Sequence, residues 1–292
     1  MKSPDLRISL EATASLLLMS GVPVLIKFTN ANSYTIAIVR LLMASVLIGL
    51  YMIIVREKII FNIRTLKKLA LIGFFFSLHW LTYFSSIKIS TASIGILGAS
   101  TYGIHLIILG WIFLSVKPRW IDIFTVIIAF WGTYLIIPEF SFQNNITLGL
   151  FLSIISGLLF AFLPILHQKS QHISGNQRAL GQYLFAIPLF LFFSGKFDFQ
   201  LESSDWYSLL YLGVLGTFLA HTLWINVTTK LNTTVTSLIF YVIIPITMSI
   251  SYFWLGEDMK LNKLIGALMI ISANVLGIIT RFYKSRMKTD IS

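Results

Sequence analysis

Long apolar runs separated by short polar gaps fill almost the entire chain. A helix needs roughly 20 mostly apolar residues to cross a hydrocarbon core of roughly 30 Å. That ruler predicts ten spans, at residues 9–27, 35–55, 69–88, 92–115, 121–137, 147–167, 179–194, 206–228, 234–255 and 263–282. The segments at 121–137 and 179–194 are the shortest. The gaps carry turn and charge signals such as Asn30-Ala31-Asn32-Ser33, Arg56-Glu57-Lys58 and Gln143-Asn144-Asn145. No gap is long enough to hold a soluble domain. The pattern is that of an all-α integral membrane protein, because in lipid a helix satisfies its own backbone hydrogen bonds.

Composition agrees. The hydrophobic fraction is 57%, charged residues are 11% and mean hydropathy is +0.85, whereas a soluble domain carries roughly 25% charged residues. Too few polar residues are present to coat a water-soluble surface. The net charge of +11 does not imply nucleic-acid binding, because the basic residues lie in the gaps between apolar runs and form no stripe on a polar domain. With the N-terminus placed in the cytoplasm, sixteen Lys and Arg fall on the inner side and five on the outer, with Arg40 inside a span. The positive-inside rule therefore predicts N-in, C-in topology in the cytoplasmic (inner) membrane. The first apolar stretch follows basic residues but lacks a small-x-small cleavage site, so it reads as a retained span. There is no cysteine, and so no disulfide or thiolate chemistry.

The chain also echoes itself at a shift of roughly 140 residues. SGVPVLIK (20–27) is matched by SGLLFAFLPILHQK (156–169), and the run from Phe113 to Ile137 by that from Phe253 to Ile279. Five helices per copy is an odd number, so the second copy must enter the membrane inverted, as in secondary transporters. The expected organisation is a first repeat at 1–140, a second at 145–285 and a cytoplasmic tail at 286–292.

In the second half, Gly213, Gly216, Thr217, Ala220 and Trp224 are followed by Pro245, Leu255-Gly256-Glu257 and Gly266. This series resembles the second EamA repeat of the drug/metabolite transporter superfamily, and Lys27 and Arg40 match that family's basic residues in the first half. Ser20-Gly21 stands where the family has Trp-Gly. The first-half counterpart of Leu255-Gly256-Glu257 is Leu114-Ser115-Val116, without a carboxylate, and that of Pro245 falls near Gly103. The resemblance implies a ten-helix, inverted-repeat carrier of small organic solutes working by alternating access.

Ionisable groups inside a span cost roughly 2.5–3.5 kcal/mol at its centre and so point to function. Arg40 lies roughly 8 Å into span two at 1.5 Å per residue, and no acid in the first five spans shares its depth. It reads either as a cationic site for a carboxylate or phosphate, or as a snorkelling group bonded to helix-end carbonyls; for Lys27 the second reading is preferred. His79, His105 and His221 fall mid-span, His79 and His221 in the corresponding third helices of the two halves. They could bond a substrate or relay protons, or serve as interhelical glue. Trp80, Tyr83, Tyr102, Trp224 and Tyr241 lie near the same layer and could form a stacking pocket. Gly21 with Pro23, and Pro245, are hinge candidates. Glu257-Asp258 reads as acidic groups favouring a nearby helix N-terminus.

The histidines sit on separate helices and no His-Glu-x-x-His or paired carboxylate occurs, so no metal, catalytic group or cofactor is expected. No P-loop is present for direct ATP coupling. The expected function is secondary transport of a small organic metabolite, amino-acid-like or drug-like. The alternative is a membrane-embedded enzyme acting on a lipid-linked substrate. The expected partners are that solute and the lipid bilayer, with a monomer or a homodimer both compatible with the sequence.

Overall fold

A computed structural model describes residues 6–289 apart from 116, 118, 136–140, 142 and 232. Val116, residues 136 and 137 at the expected end of the fifth span, and the last three residues of the expected tail therefore lie outside the described residues. Every regular element among those described is helical. Six helical runs are long and apolar enough to cross a membrane: Leu6–Phe28, Ser33–Ile54, Ile63–Ile89, Ala92–Leu114, Asn145–Gln168 and Ser203–Lys230. Ile243–Leu255 and Leu261–Ala273 are shorter apolar helices.

The polar gaps become helix caps. Asn32 accepts from the Tyr34 and Thr35 amides (both 3.0 Å) to start α3 (Ser33–Ile54), and Asn62 accepts from Thr65 to start α4 (Ile63–Ile89). Asn144 does the same for α8 (Asn145–Gln168) and Ser174 for α9 (Gly175–Leu184). Each side-chain oxygen satisfies an amide that the helix itself leaves unpaired.

Four of the expected spans are not continuous. The first divides at Gly21 into α1 (Leu6–Ser20) and α2 (Val22–Phe28), with Pro23 in the first turn of α2. The seventh divides at Phe185-Ala186 before α10 (Ile187–Leu191), again with a proline, Pro188, in the new first turn. The ninth divides at Tyr241-Val242 into α13 (Thr233–Phe240) and α14 (Ile243–Leu255), four residues before Pro245. A proline has no N–H for the carbonyl four residues back and its ring crowds that carbonyl, so the helix yields there. The fourth span divides without a proline, at Ser100-Thr101 between α5 (Ala92–Ala99) and α6 (Tyr102–Leu114). There the Ser100 and Thr101 hydroxyls donate to the Leu97 and Gly98 carbonyls (2.6 and 2.7 Å) and compete with the helical ladder.

The breaks in the first half are closed by groups from the second. The Tyr241 hydroxyl donates to the Ser100 carbonyl and the Thr247 hydroxyl to the Ser20 carbonyl, both at 2.7 Å. Where the two halves correspond, the backbone also repeats: α6 ends at Ser115 (φ +58°) and α14 at Gly256 (φ +65°), both left-handed.

Lipid tails are as apolar as leucine, so helices associate here by close packing and hydrogen bonds rather than by hydrophobic exclusion. α8 runs against α4 and α5 through small residues. A Cβ on Gly149 would lie 2.5 Å from Ser90 Cβ, and one on Gly98 2.6 Å from Ser153 Cβ. The Ser86 hydroxyl donates to the Gly149 carbonyl at 2.7 Å, and Ser153 donates to that of Gly95. α7 (Trp120–Leu135) meets α15 (Leu261–Thr289) at Gly132, whose Cβ would stand 2.7 Å from the Gly266 carbonyl oxygen. The outward faces remain apolar: on α3, Val46 and Ile53 are 59% and 73% exposed while Leu41 and Ile48 on the opposite side are buried. That is the surface of a protein solvated by lipid.

Gly98→Val should lower the apparent melting temperature of the detergent-purified protein, corresponding to about 1–3 kcal/mol of overpacking. Gly49→Val, at a glycine with nothing within 4 Å of an added Cβ, should melt within error of the parent in the same scan. Equal melting of the two variants would refute the α5–α8 contact as a packing constraint.

Candidate functional site

The eighth helical run, Ser203–Lys230, supplies the anchor of the site. It begins as α11 (Ser203–Leu210), passes through a π-helical stretch at Tyr211–Leu219 and ends as α12 (Ala220–Lys230). In the wide turn the Thr217 hydroxyl donates to the Leu212 carbonyl five residues back (2.7 Å) and accepts from Arg40 Nε on α3 (2.9 Å). The Thr217 carbonyl accepts from the Tyr183 hydroxyl of α9 at 3.1 Å. A π turn leaves backbone groups free for such outside partners, which is why these turns recur at functional sites. Gly213 and Gly216 let α3 and α2 approach: a Cβ on Gly213 would meet Met43 Sδ at 2.7 Å, and one on Gly216 would meet Val22 Cγ2 at 2.8 Å.

Arg40 is fully buried. Its guanidinium carbon lies 4.3 Å from the Trp80 ring centroid and 5.0 Å from that of Phe84. A desolvated cation–π contact contributes about 2 kcal/mol, and a hydrogen bond from a charged group about 1.5–3 kcal/mol. Together these offset the roughly 2.5–3.5 kcal/mol cost of placing the charge mid-span. They leave Nη1 and Nη2, which have no hydrogen-bond partner among the described residues.

Arg40 lines a small cavity of about 40 Å³. Met19 and Val22 flank the Gly21 break on one wall, and α4 contributes His79, Trp80, Tyr83 and Phe84. Ile96 and Ala99 come from α5, Phe160 from α8, His221 from α12, and Phe240 and Ile243 flank the break between α13 and α14. No Asp or Glu is among these described lining residues.

The two mid-span histidines of corresponding helices meet here. His79 Nδ1 lies 3.1 Å from the Ser156 carbonyl oxygen and 2.7 Å from its hydroxyl, and its ring stacks on Phe160 with centroids 4.6 Å apart. Donation from Nδ1 to that carbonyl leaves Nε2 as the acceptor of the neutral ring. His221 packs edge-on to Phe76 at 5.3 Å and lies 5.9 Å from Trp80.

The other expected residues fall behind the wall. Tyr102 packs on Phe160 and Phe240 (4.8 and 4.9 Å), Trp224 on Phe240 (5.7 Å), and Tyr241 bonds the Ser100 carbonyl over Gly103. His105 lies on the next turn of α6 and is not a lining residue of the cavity. Residues outside the expected set also matter. Thr217 was legible only as part of the Gly-x-x-Gly-Thr series, whereas Ser156, Phe160 and Tyr183 carry no local signal, since their roles depend on which helices cross.

The two ends of the bundle differ. At the end formed by the close of α2, Lys27 Nζ donates to the Ser90 and Lys88 carbonyls (2.5 and 3.2 Å), and Lys88 Nζ donates to that of Thr29 (2.5 Å). Asp205 accepts from the Asn30 amide (2.7 Å) and the Thr29 hydroxyl (3.0 Å). Glu257 accepts from the Ala92 and Ser93 amides (2.7 and 3.1 Å) and stands 3.7 Å from Lys263 Nζ. Its acid therefore serves the N-terminus of α5, in the opposite half, as well as pairing near the start of α15. The other end holds a hollow of about 440 Å³ bordered by Arg7, Glu11, Asn176, Thr222 and Asn226.

A family model described as "EamA-like transporter family" matches residues 8–137 and 147–279. This chain belongs to the EamA-like transporter family. It is thus a multi-pass membrane transporter of the drug/metabolite transporter superfamily. A curated member from Bacillus subtilis (strain 168), the uncharacterized transporter YxxF, is 22% identical over 94% of this chain and 91% of its own length. A protein of known crystal structure superposes with a TM-score of 0.70 at 12% identity, over 94% of this chain and 97% of the other, and shares the fold.

In this EamA-like transporter, Thr217→Val removes the acceptor of Arg40 Nε while keeping the side chain's shape. Stability should fall by about 1–3 kcal/mol, the cost of a buried donor left unpaired, while Thr217→Ser stays near the parent. Thermal melts of both variants in detergent test this, and a Val variant as stable as the Ser variant would remove Thr217 from the role of anchor.

Proposed function

We propose that this transporter is a secondary carrier of ten transmembrane helices, built as two inverted five-helix repeats at 1–140 and 145–285, with both termini in the cytoplasm. It moves a small organic metabolite across the cell membrane by alternating access. The observation that carries this reading is the internal cavity, which is walled from both halves and bordered by the helix breaks at Gly21 and Tyr241-Val242. Carriers bind at the interface of such repeats, on discontinuous helices. Arg40, His79, Trp80, Tyr83 and His221 contact the solute, while Tyr102, Trp224 and Tyr241 back the pocket. His105 takes no part in contact.

Gly21 with Pro23, and Pro245, act as hinges because each proline has no N–H, so one fewer helical hydrogen bond resists the bend. Under N-in topology the Lys27, Lys88, Asp205 and Glu257 ties close the outer face, and the hollow beside Arg7 and Glu11 is the inner vestibule. Outward opening then exchanges the outer ties for contacts with water. A lysine-to-carbonyl tie suits that task, because both partners are readily rehydrated.

Purified protein in proteoliposomes should take up at least one solute from a small-metabolite panel, faster than protein-free vesicles. His79→Ala and His221→Ala should each slow that uptake by about tenfold or more, in the range expected for a lost buried polar contact. Absence of flux for every solute would overturn the carrier reading. Uptake indifferent to both substitutions would remove the histidines from it.

The cysteine-free sequence permits a clean topology measurement. A membrane-impermeant maleimide on intact cells should label Gln143→Cys and Gln200→Cys but spare Lys58→Cys until the cells are lysed. The reverse pattern would invert the orientation.

A further inference from the structure

We propose that the solute is an organic monoanion, a carboxylate on a flat or branched apolar body, and neither a zwitterionic amino acid nor a cationic amine. This rests on the cavity being the transport site. Arg40 is fully buried and held at two sides, by Thr217 at Nε and by the Trp80 face. Its two outer nitrogens have no partner among the described residues. A guanidinium presents its donors in a planar fork that matches the two oxygens of a carboxylate. An unpaired donor buried with its charge is costly, and a bound carboxylate would remove that cost.

The rest of the cavity selects against a positive group on the solute. No described Asp or Glu lines it, so an ammonium would meet no counter-charge and would face Arg40 in a medium of low dielectric. The aromatic face best suited to a cation, that of Trp80, is already covered by the guanidinium. The other titratable groups on the wall are the imidazoles of His79 and His221 and the phenol of Tyr83, and none of these is a carboxylate. One guanidinium balances one carboxylate, whereas a dianion would leave a negative charge unmatched. Beyond Arg40, Tyr83 and the two histidines the wall is apolar, with Met19, Val22 and Ile243 beside the rings of Phe160 and Phe240. Such a surface stacks on a ring or packs a branched chain without asking for further polar groups.

The test uses three solutes that share one body: 3-phenylpropanoate, phenylalanine and phenethylamine. Radiolabelled counterflow is measured with the full-length protein in proteoliposomes. The expected result is counterflow of the carboxylate at least about tenfold faster than of the other two, a ratio equivalent to about 1.4 kcal/mol. Arg40→Gln should abolish carboxylate counterflow, and Arg40→Lys, which keeps the charge but not the fork, should reduce it without abolishing it. Preference for phenylalanine or phenethylamine would overturn the assigned class and leave the carrier reading standing. So would transport of other solutes from a wider panel with no flux of the carboxylate. No flux of any solute would overturn the carrier reading itself. The selectivity of the unmodified protein decides the matter even where an Arg40 variant fails to fold.

Discussion

A membrane interior cannot solvate a guanidinium, and the architecture around Arg40 is a response to that constraint. The π-helical stretch at Tyr211–Leu219 brings a threonine hydroxyl to Nε, Trp80 and Phe84 screen the charge, and two glycines let the neighbouring helices close on it. Each measure is local, yet none addresses the outer nitrogens. The result is a positive group held at one nitrogen and over one ring face, with two nitrogens that have no hydrogen-bond partner among the described residues. Were the charge needed only for packing, a carboxylate on a neighbouring helix would be the simpler solution, and none is present among the lining residues.

The helix breaks answer a second constraint. A carbonyl freed inside a bilayer must find another donor. The Ser20 and Ser100 carbonyls find theirs on α14 and at Tyr241, across the boundary between the halves. The breaks are therefore also the places where one half grips the other. The geometry that satisfies the backbone is the geometry that joins the repeats. Bending at a break alters the cavity wall directly, since Val22, Ala99, Phe240 and Ile243 flank the breaks and line the cavity. The ends of the bundle add a further asymmetry. One face is held by lysines on helix-end carbonyls and by two carboxylates on backbone amides, and the other opens into a hollow.

Several of these features were legible beforehand and others were not. The polar gaps holding Asn32 and Asn144 marked helix starts, because such side chains favour the cap position, whereas α4 starts after Asn62, six residues ahead of the expected span. Lys27 was expected to reach helix-end carbonyls, and it does so on α4. Glu257 was expected to favour a helix N-terminus, but the helix it serves most directly is α5, some 165 residues away in sequence. His79 and His221 were paired through the repeat and do meet at one cavity. His105, at similar depth by residue counting, is not among the residues that line that cavity. Residue counting measures position along a helix and carries no information about where a broken helix turns.

The chain's resemblance to a transporter family rested on the particular residues of the series from Gly213 to Gly266, whereas hydrophobic run length and the distribution of charge determined by themselves that it is a multi-pass helical membrane protein. Those properties follow from the solvent, which acts on every residue independently of its neighbours in space. Tertiary structure decided which of the buried polar residues share a cavity, that two Arg40 nitrogens have no partner among the described residues while Lys27 and Glu257 are bonded, and that no described acid lines the pocket. Such outcomes depend on helix crossings that join residues as far as 227 apart, as at Ser20 and Thr247, and pairing over that range is a property of the packed bundle rather than of any segment within it.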